Sequence, residues 1–400
     1  MGNLAWRFDG REYAYIREVL DSGFASSTCG GMNTRLEEAF AQRMGAKFAI
    51  TFNSGTTTLH AALWALGVGC GDEVILTPLT VISCMNAVLY CNAVPVFADV
   101  DPDTFLVDPA DIRRKITPRT KAIMAVHLYG QVCDMTAIMA IAKEHHLGVV
   151  EDCAQCYLGT HRGRIGGTIG DVGSWSFENS KHLTTGDGGI VTCNDEALGD
   201  NLRRLNCQGF RNATAKSGKI RVSKDLFQNP SYKRHSQFGF MYRLPEVAAA
   251  MGLAQLEKLD WFVGLREQSA AHYAAAIGDC AWLRPQRTPA GDRNSYYTYA
   301  VRLATDAVKW DDFRRKYIEF GGSSLYAAWS LCYNEDSVSD IRQRVLGPLG
   351  LNGRFNTEKG ICPNAERIQP QLLQFTTNQK DEEEMKTEAE YLRKTIAYFA

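Results

Sequence analysis

Apolar residues in this chain change period along its length, and the changes mark out elements. Between about residues 45 and 195, short β-branched runs alternate with stretches whose apolar residues recur every three or four positions. KFAITFN leads into the helix-like TTTLHAALWALG, and EVILTP into a helical stretch over 83–90. PVFADV, AIMAVHL, a helix around 136–146, LGVVEDC, GSWSFE and GGIVTC follow. The strands are apolar throughout rather than on alternate residues, as in strands buried on both faces. Joined by helices, they predict an α/β fold with a mostly parallel sheet covered on either side. Such sheets carry ligands at the carboxyl ends of their strands, so the chemistry is expected just after those runs.

Beyond residue 208 the pattern changes. Residues 208–237 are polar and aperiodic. From Pro245 the apolar spacing predicts one amphipathic helix of some 30 residues, LPEVAAAMGLAQLEKLDWFVGLREQSAAHYAAAI, long enough to bridge two lobes. The remainder, with strand-like YYTYAVRL and helices over 310–320 and 381–399, predicts a smaller α+β domain. The expected division is a large domain over 1–260, including an N-terminal arm and the 208–237 loop, and a small domain over 261–400.

Composition narrows the function. With 45% apolar residues in 400, the core is large. The 45 acids and 44 bases nearly cancel, which excludes bulk attraction to nucleic acid or to an anionic membrane as the main business. No stretch approaches the roughly 20 apolar residues of a membrane span. The start lacks a signal-peptide core, and Trp6 stands where a myristoylation motif needs Ser or Thr, so a soluble cytoplasmic protein is expected. The twelve cysteines lie mostly in apolar stretches and read as small hydrophobes. Cys153 and Cys156 have CxxC spacing, but no second Cys or His pair at matched spacing accompanies them, and no metal site is expected.

Four features fall after predicted strands. Asn53-Ser54-Gly55-Thr56-Thr57 joins a strand to a helix start. A glycine there permits close approach, and helix N–H groups attract an anion, although Ser/Thr caps are common in any protein. Glu151-Asp152 closes a buried strand, where a carboxylate needs a cationic or hydrogen-bonding partner or simply caps the next turn. Lys181 lies between an apolar strand and the Gly-rich LTTGDGG, a setting that suits a desolvated amine acting as a Schiff-base nucleophile. Ser176, five residues earlier, is either a phosphate donor or an ordinary strand-end hydroxyl.

A phosphate cradle, a strand-end Asp and a lysine in that order describe a pyridoxal phosphate (PLP) site. The chain resembles the DegT/DnrJ/EryC1/StrS family of PLP-dependent sugar and cyclitol aminotransferases, of PLP fold type I. The likeness runs through GDEVILTPLT (71–80), ADVDPDTFLVDP (98–109), AVHLYGQVCDM (125–135), VVEDCAQ (149–155), SWSFENSKHLTTGDGG (174–189) and YRLPEVAAAMGLAQLEKLD (242–260). It implies that Lys181 forms the Schiff base and Asp152 pairs with the pyridine nitrogen. By the same likeness Gln155 contacts the ring, and Gly55, Thr56 and Ser176 hold the phosphate. It further implies a ping-pong reaction, in which glutamate or glutamine gives its nitrogen to the cofactor and a keto group on a nucleotide-linked sugar or a cyclitol receives it. A homodimer with shared sites is expected from the same resemblance.

Two positions depart from the family pattern. Val81 stands where an aromatic residue often covers the PLP ring, and Met241 where an Asn often reaches the partner subunit's phosphate. Loss of that bond is expected to weaken cofactor binding by about 1.5–3 kcal/mol unless another donor replaces it. A PLP-dependent sugar dehydratase is the alternative reaction, but those enzymes carry His at the lysine position, and here the pair is Lys181-His182. A non-catalytic homologue is a third reading, opposed by Lys181, Asp152 and Ser176. Gly321–Asn334, expected to meet the acceptor, lacks the His-Pro segment of many relatives. Arg211, Lys216, Lys219, Arg221, Lys224, Lys233 and Arg234 face a single acid, Asp225, in the polar loop. Of these, Arg211, Lys219, Arg221 and Arg234 are candidates for a nucleotide diphosphate, the bland alternative being a solvated loop.

Overall fold

The computed structural model describes residues 4–323 and 325–400. Residues 1–3, part of the start that carries neither a signal-peptide core nor a myristoylation motif, and Ser324 within the expected acceptor segment, lie outside the described residues. The apolar runs form seven strands: β1 (Phe48–Phe52), β2 (Glu73–Leu76), β3 (Val94–Phe97), β4 (Thr120–Val126), β5 (Gly148–Asp152), β6 (Val172–Ser176) and β7 (Gly189–Cys193). They make one sheet in the order β1-β7-β6-β5-β4-β2-β3. Its pairs are parallel except those of β7, which runs antiparallel to both β1 and β6. This is the α/β fold with a mostly parallel sheet that the pattern predicts. Helices Gly55–Ala65, Ile82–Tyr90 and Met135–His145 provide the crossovers, and central strand residues such as Ile75, Ile123, Val150 and Val191 are fully buried.

A second sheet, entirely antiparallel, comes from β8 (Leu283–Pro285), β9 (Thr298–Leu303), β10 (Leu325–Ala327) and β11 (Leu372–Thr376), in the order β8-β9-β11-β10. Helices Leu259–Ile277, Trp310–Glu319 and Glu382–Phe399 cover it around a core of Tyr273, Phe313, Tyr317 and Phe375. Part of the intervening chain turns back to the large sheet. Tyr333 packs edge-on against Phe97 at 5.2 Å, and Cys332 N–H donates to Pro78 O at 3.0 Å.

The single 30-residue helix is corrected. The segment forms two helices, Glu246–Leu256 and Leu259–Ile277, separated at Glu257-Lys258. Lys258 leaves helical geometry (φ −105°, ψ 2°), which brings its Nζ into the interior, 2.6 Å from Glu12 Oε1 and 2.8 Å from Arg7 O. A buried ammonium needs a carboxylate and acceptors, and apolar periodicity does not register that demand.

Candidate active site

The carboxyl ends of β1, β5 and β6 meet at one place. After β1 the chain turns into helix Gly55–Ala65, capped by Ser54, whose Oγ accepts from Thr57 N–H at 3.2 Å. Thr56 lies in that first turn. A Cβ on Gly55 would stand 2.6 Å from Ser176 Cβ and 3.0 Å from its Oγ. Only a glycine lets the helix start lie against the strand end that carries the hydroxyl. One turn on, Thr58 Oγ1 and Ser174 Oγ share a hydrogen bond of 2.6 Å. Ser174 is in turn the β6 neighbour of Asp152 on β5.

Asp152 is 3% exposed. Its Oδ1 accepts from Ala154 N–H at 3.0 Å and its Oδ2 from the Cys84 thiol at 3.1 Å. Burial holds the Cys84 thiol's pKa well above its ordinary value, so the proton that bridges to Asp152 belongs to sulfur. Among the described residues no cation pairs with Asp152. Beside it, Glu151 is fully buried and accepts from His127 Nε2 (2.9 Å) and from the N–H groups of Gly167, Ile169 and Gly170. Those bonds hold its pKa below the ordinary carboxylate value despite the desolvation that opposes them. Gln155 uses Oε1 to accept from Tyr129 N–H at 2.9 Å. Val81 precedes helix Ile82–Tyr90 and packs on the large core.

Lys181 is 9% exposed, and its Nζ lies 4.8 Å from the centre of the Tyr297 ring. Its side chain forms no ion pair among the described residues. Ser180 beside it bonds Glu178 Oε2 and, at 2.7 Å, the Tyr297 hydroxyl. The next residue, His182, is fully buried, and burial keeps its pKa well below the ordinary value. Its Nε2–H donates to Ser295 O at 3.0 Å, which holds the ring as a neutral part of the framework.

A cleft of about 410 Å³ opens here, lined by Thr80, Gln155, Ser180, Tyr297, Arg266 and Trp329, among others. Gln155 thus faces the same space as the residue preceding Lys181. Arg266 donates to Tyr297 O (2.8 Å) and Thr377 Oγ1 (3.0 Å). Burial and the neighbouring Arg7 push its pKa down to about 9. Arg7, Arg266, Cys84 and Tyr297 carry no signal in the sequence pattern, because they reach the site from distant elements.

The four loop cations stand elsewhere. None lines this cleft. Lys219 and Arg221 are exposed, Arg211 donates to Lys233 O at 3.2 Å, and Arg234 lies 4.8 Å over the Phe227 ring. Met241 is 54% exposed near Phe238, itself 64% exposed. The CxxC thiols are both buried and free, with Cys156 pushed up to about 12 by burial. No group of three or more His, Cys, Asp or Glu side chains able to hold a metal ion occurs among the described residues. No helix among them is long and apolar enough to cross a membrane.

The buried amine, the buried carboxylate and the close-packed glycine all stand at the carboxyl edge of a mostly parallel sheet, and the comparisons with known proteins make the chain a PLP-dependent transaminase. The chain belongs to the DegT/DnrJ/EryC1/StrS aminotransferase family, whose model matches residues 7–328. It is 42% identical over 301 residues to a GDP-perosamine synthase of Caulobacter vibrioides, covering 74% of this chain and 76% of that protein. A putative L-glutamine:3-amino-2,3-dideoxy-scyllo-inosose aminotransferase of Streptoalloteichus tenebrarius is 35% identical over 342 residues, covering 80% of this chain and 76% of the other. Among solved structures, an aminotransferase from Psychrobacter cryohalolentis superposes with a TM-score of 0.84 at 30% identity, covering 98% of each chain.

Proposed function

We propose that this aminotransferase takes nitrogen from glutamate or glutamine and delivers it to the keto group of a nucleotide-linked deoxysugar, in two half-reactions that share Lys181. The observation that carries the reading is the trio at the strand ends: Lys181 beside Tyr297, Asp152 buried with no cation partner among the described residues, and Gly55 pressed on Ser176. These residues fit PLP. Gly55, Thr56 and Ser176 would hold its phosphate, Asp152 its protonated ring nitrogen, and Gln155 and Val81 its ring. When bound, the cofactor supplies an aldehyde that takes up the amino group and a ring that accepts carbanion electrons.

The chain's own residues do the rest. Lys181 Nζ would take the proton from the donor Cα and hold it for return, as one amine acting as both base and acid. Asp152 would keep the ring nitrogen protonated by ionic pairing in its buried setting, while the Cys84 thiol and Ala154 N–H fix the carboxylate. A nucleotide-sugar acceptor is supported by the Caulobacter relative's name, and a cyclitol acceptor by the inosose aminotransferase likeness. Dehydration is disfavoured, since Lys181 occupies the position where dehydratases carry His. The exposed Phe238 and Met241, with four loop cations outside their own chain's cleft, support a homodimer whose loop completes the neighbour's site.

Three measurements test this reading. Borohydride treatment of the PLP-loaded protein should fix the cofactor on Lys181, as mapped by mass spectrometry, and Lys181→Ala should abolish both capture and turnover. Many turnovers by the Lys181→Ala protein would overturn the reading. The amine-charged enzyme, offered keto-sugar nucleotides and keto-inositols side by side, should discharge to the nucleotides. Neutralising Arg211, Lys219, Arg221 and Arg234 in turn should raise the acceptor KM at least tenfold in one variant, about 1.4 kcal/mol. Unchanged KM in all four, or preference for the keto-inositol, would transfer the assignment to a cyclitol.

A further inference from the structure

Arg7 comes from a short 3-10 turn, Ala5–Arg7, about 175 residues before the lysine loop, yet it is only 3% exposed. Its Nη2 donates to Lys181 O at 2.8 Å and to His182 O at 2.7 Å, and its Nη1 to Asn179 O at 3.3 Å. Three carbonyls of one four-residue stretch therefore converge on a single guanidinium. No carboxylate lies within ion-pair distance of Arg7 among the described residues. Burying a cation without a counter-ion is costly, and here its hydrogen bonds go to the backbone that bears Lys181.

Arg7 is itself fixed from behind. Its carbonyl accepts from Gln255 Nε2 (3.0 Å) and Lys258 Nζ (2.8 Å), both of which also reach Glu12 Oε1. The Phe262 ring lies 5.1 Å from its Cζ. The helix break at Glu257-Lys258 thus gains a purpose, because it supplies the ammonium that anchors the arm. On the opposite side, Tyr297 holds Ser180 through its hydroxyl and faces Lys181 Nζ. The loop 178–182 is gripped between the N-terminal arm and the second sheet.

We propose that Arg7 is a positioning residue for Lys181: the N-terminal arm works as a strap that fixes the peptide bonds at 179–182 and so aims the lysine amine into the cleft. The inference rests on the reading of Lys181 as the residue that joins PLP. Without the strap, the two carbonyls on Nη2 lose their shared donors and the loop samples other peptide orientations. The amine then reaches the cofactor aldehyde and the donor Cα less often, although the residues that hold the phosphate and ring are untouched.

The test compares wild type, Arg7→Gln and Arg7→Lys as full-length PLP-loaded proteins. In wild type, borohydride should capture PLP on Lys181; capture elsewhere, or none, defeats the underlying reading rather than the strap. In Arg7→Gln, capture should still map to Lys181 but proceed at least tenfold more slowly. The kcat of the glutamate half-reaction should fall at least tenfold, with the donor KM changed less than threefold. Arg7→Lys, which keeps the charge and one or two of the bonds, should recover part of both rates. If Arg7→Gln is too unstable to load, Arg7→Lys alone decides, by a capture rate below wild type with PLP affinity retained. A variant set in which only the melting temperature moves, while capture rate and kcat stay within twofold of wild type, overturns the proposal and leaves Arg7 a purely structural residue.

Discussion

Replacing Gly55 by alanine tests the proposed phosphate cradle directly. The new methyl would stand 2.6 Å from Ser176 Cβ, 3.0 Å from its Oγ and 3.2 Å from its Cα. Carbon atoms at rest keep about 3.5–4.0 Å, so either the helix start or the end of β6 must retreat by close to 1 Å. Overpacking of this kind costs about 1–3 kcal/mol, and the retreat moves the Ser176 hydroxyl away from the helix start. Ser176→Gly alone removes both the Cβ and the hydroxyl, at a strand cost of about 0.5–1 kcal/mol. In Gly55→Ala/Ser176→Gly the methyl occupies the space the serine leaves. The double variant should therefore melt above the temperature that summing the singles predicts, with a coupling of about 1 kcal/mol or more. PLP binding should separate from stability: the double variant recovers its fold but stays about 1.5–3 kcal/mol weaker for the cofactor, the worth of a hydrogen bond to a charged group. Urea denaturation of the cofactor-free proteins gives the first quantity and equilibrium titration with PLP the second. Additive stabilities would show that the Gly55–Ser176 contact does not limit packing. Wild-type PLP affinity in the double variant would remove Ser176 from the phosphate site.

Two further outcomes follow from buried charge. His60, enclosed by Trp64, Tyr90, Phe240 and Tyr242, has its pKa pushed down to about 4 by burial. The unfolded chain therefore binds a proton that the folded one refuses between about pH 6.5 and 4, and stability falls as pH falls through that window, by about 3 kcal/mol at its lower end; in His60→Phe the decline measured by denaturation should be shallower, and superimposable pH curves would refute the assignment. Arg203 and Glu37 form a bidentate pair, 2.6 and 2.5 Å, that is almost fully buried, so Arg203→Met should cost about 3–5 kcal/mol by stranding the carboxylate. Arg203→Met/Glu37→Gln, which keeps an acceptor for Thr51, should regain much of that loss, and equal melting temperatures for the single and double variants would contradict it.

The large sheet was legible because its strands sit between helices on both faces, and Val149-Val150 or Ile123-Met124 leave no polar residue to confuse the period. Helix bounds followed for the same reason, as with Met135–His145 against an expected 136–146. What the pattern missed was an interruption caused by a polar demand. The segment 246–277 is apolar at helical spacing throughout, and nothing local tells that Lys258 must turn inward to meet Glu12, which lies 246 residues away in sequence.

The site divides along the same line. Gly55, Asp152, Ser176 and Lys181 stand out as candidates because a strand end puts the next residues at the edge where such sheets carry ligands, whatever the rest of the chain does. Arg7, Cys84, Arg266 and Tyr297 come from distant parts of the chain where no local pattern singles them out, and only the folded chain reveals what their polar ends reach. The basic loop shows a third kind of limit. Its charge was plain in the sequence and remains plain in the fold, yet Lys219 and Arg221 face solvent and none of the four candidate cations reaches the cleft of its own chain. A diphosphate held by that loop would have to lie in a neighbour's cleft. The acceptor reading and the dimer reading are thus one claim. An enzyme that is monomeric by sedimentation under assay conditions, yet loses acceptor affinity when Arg221 is neutralised, would break that link.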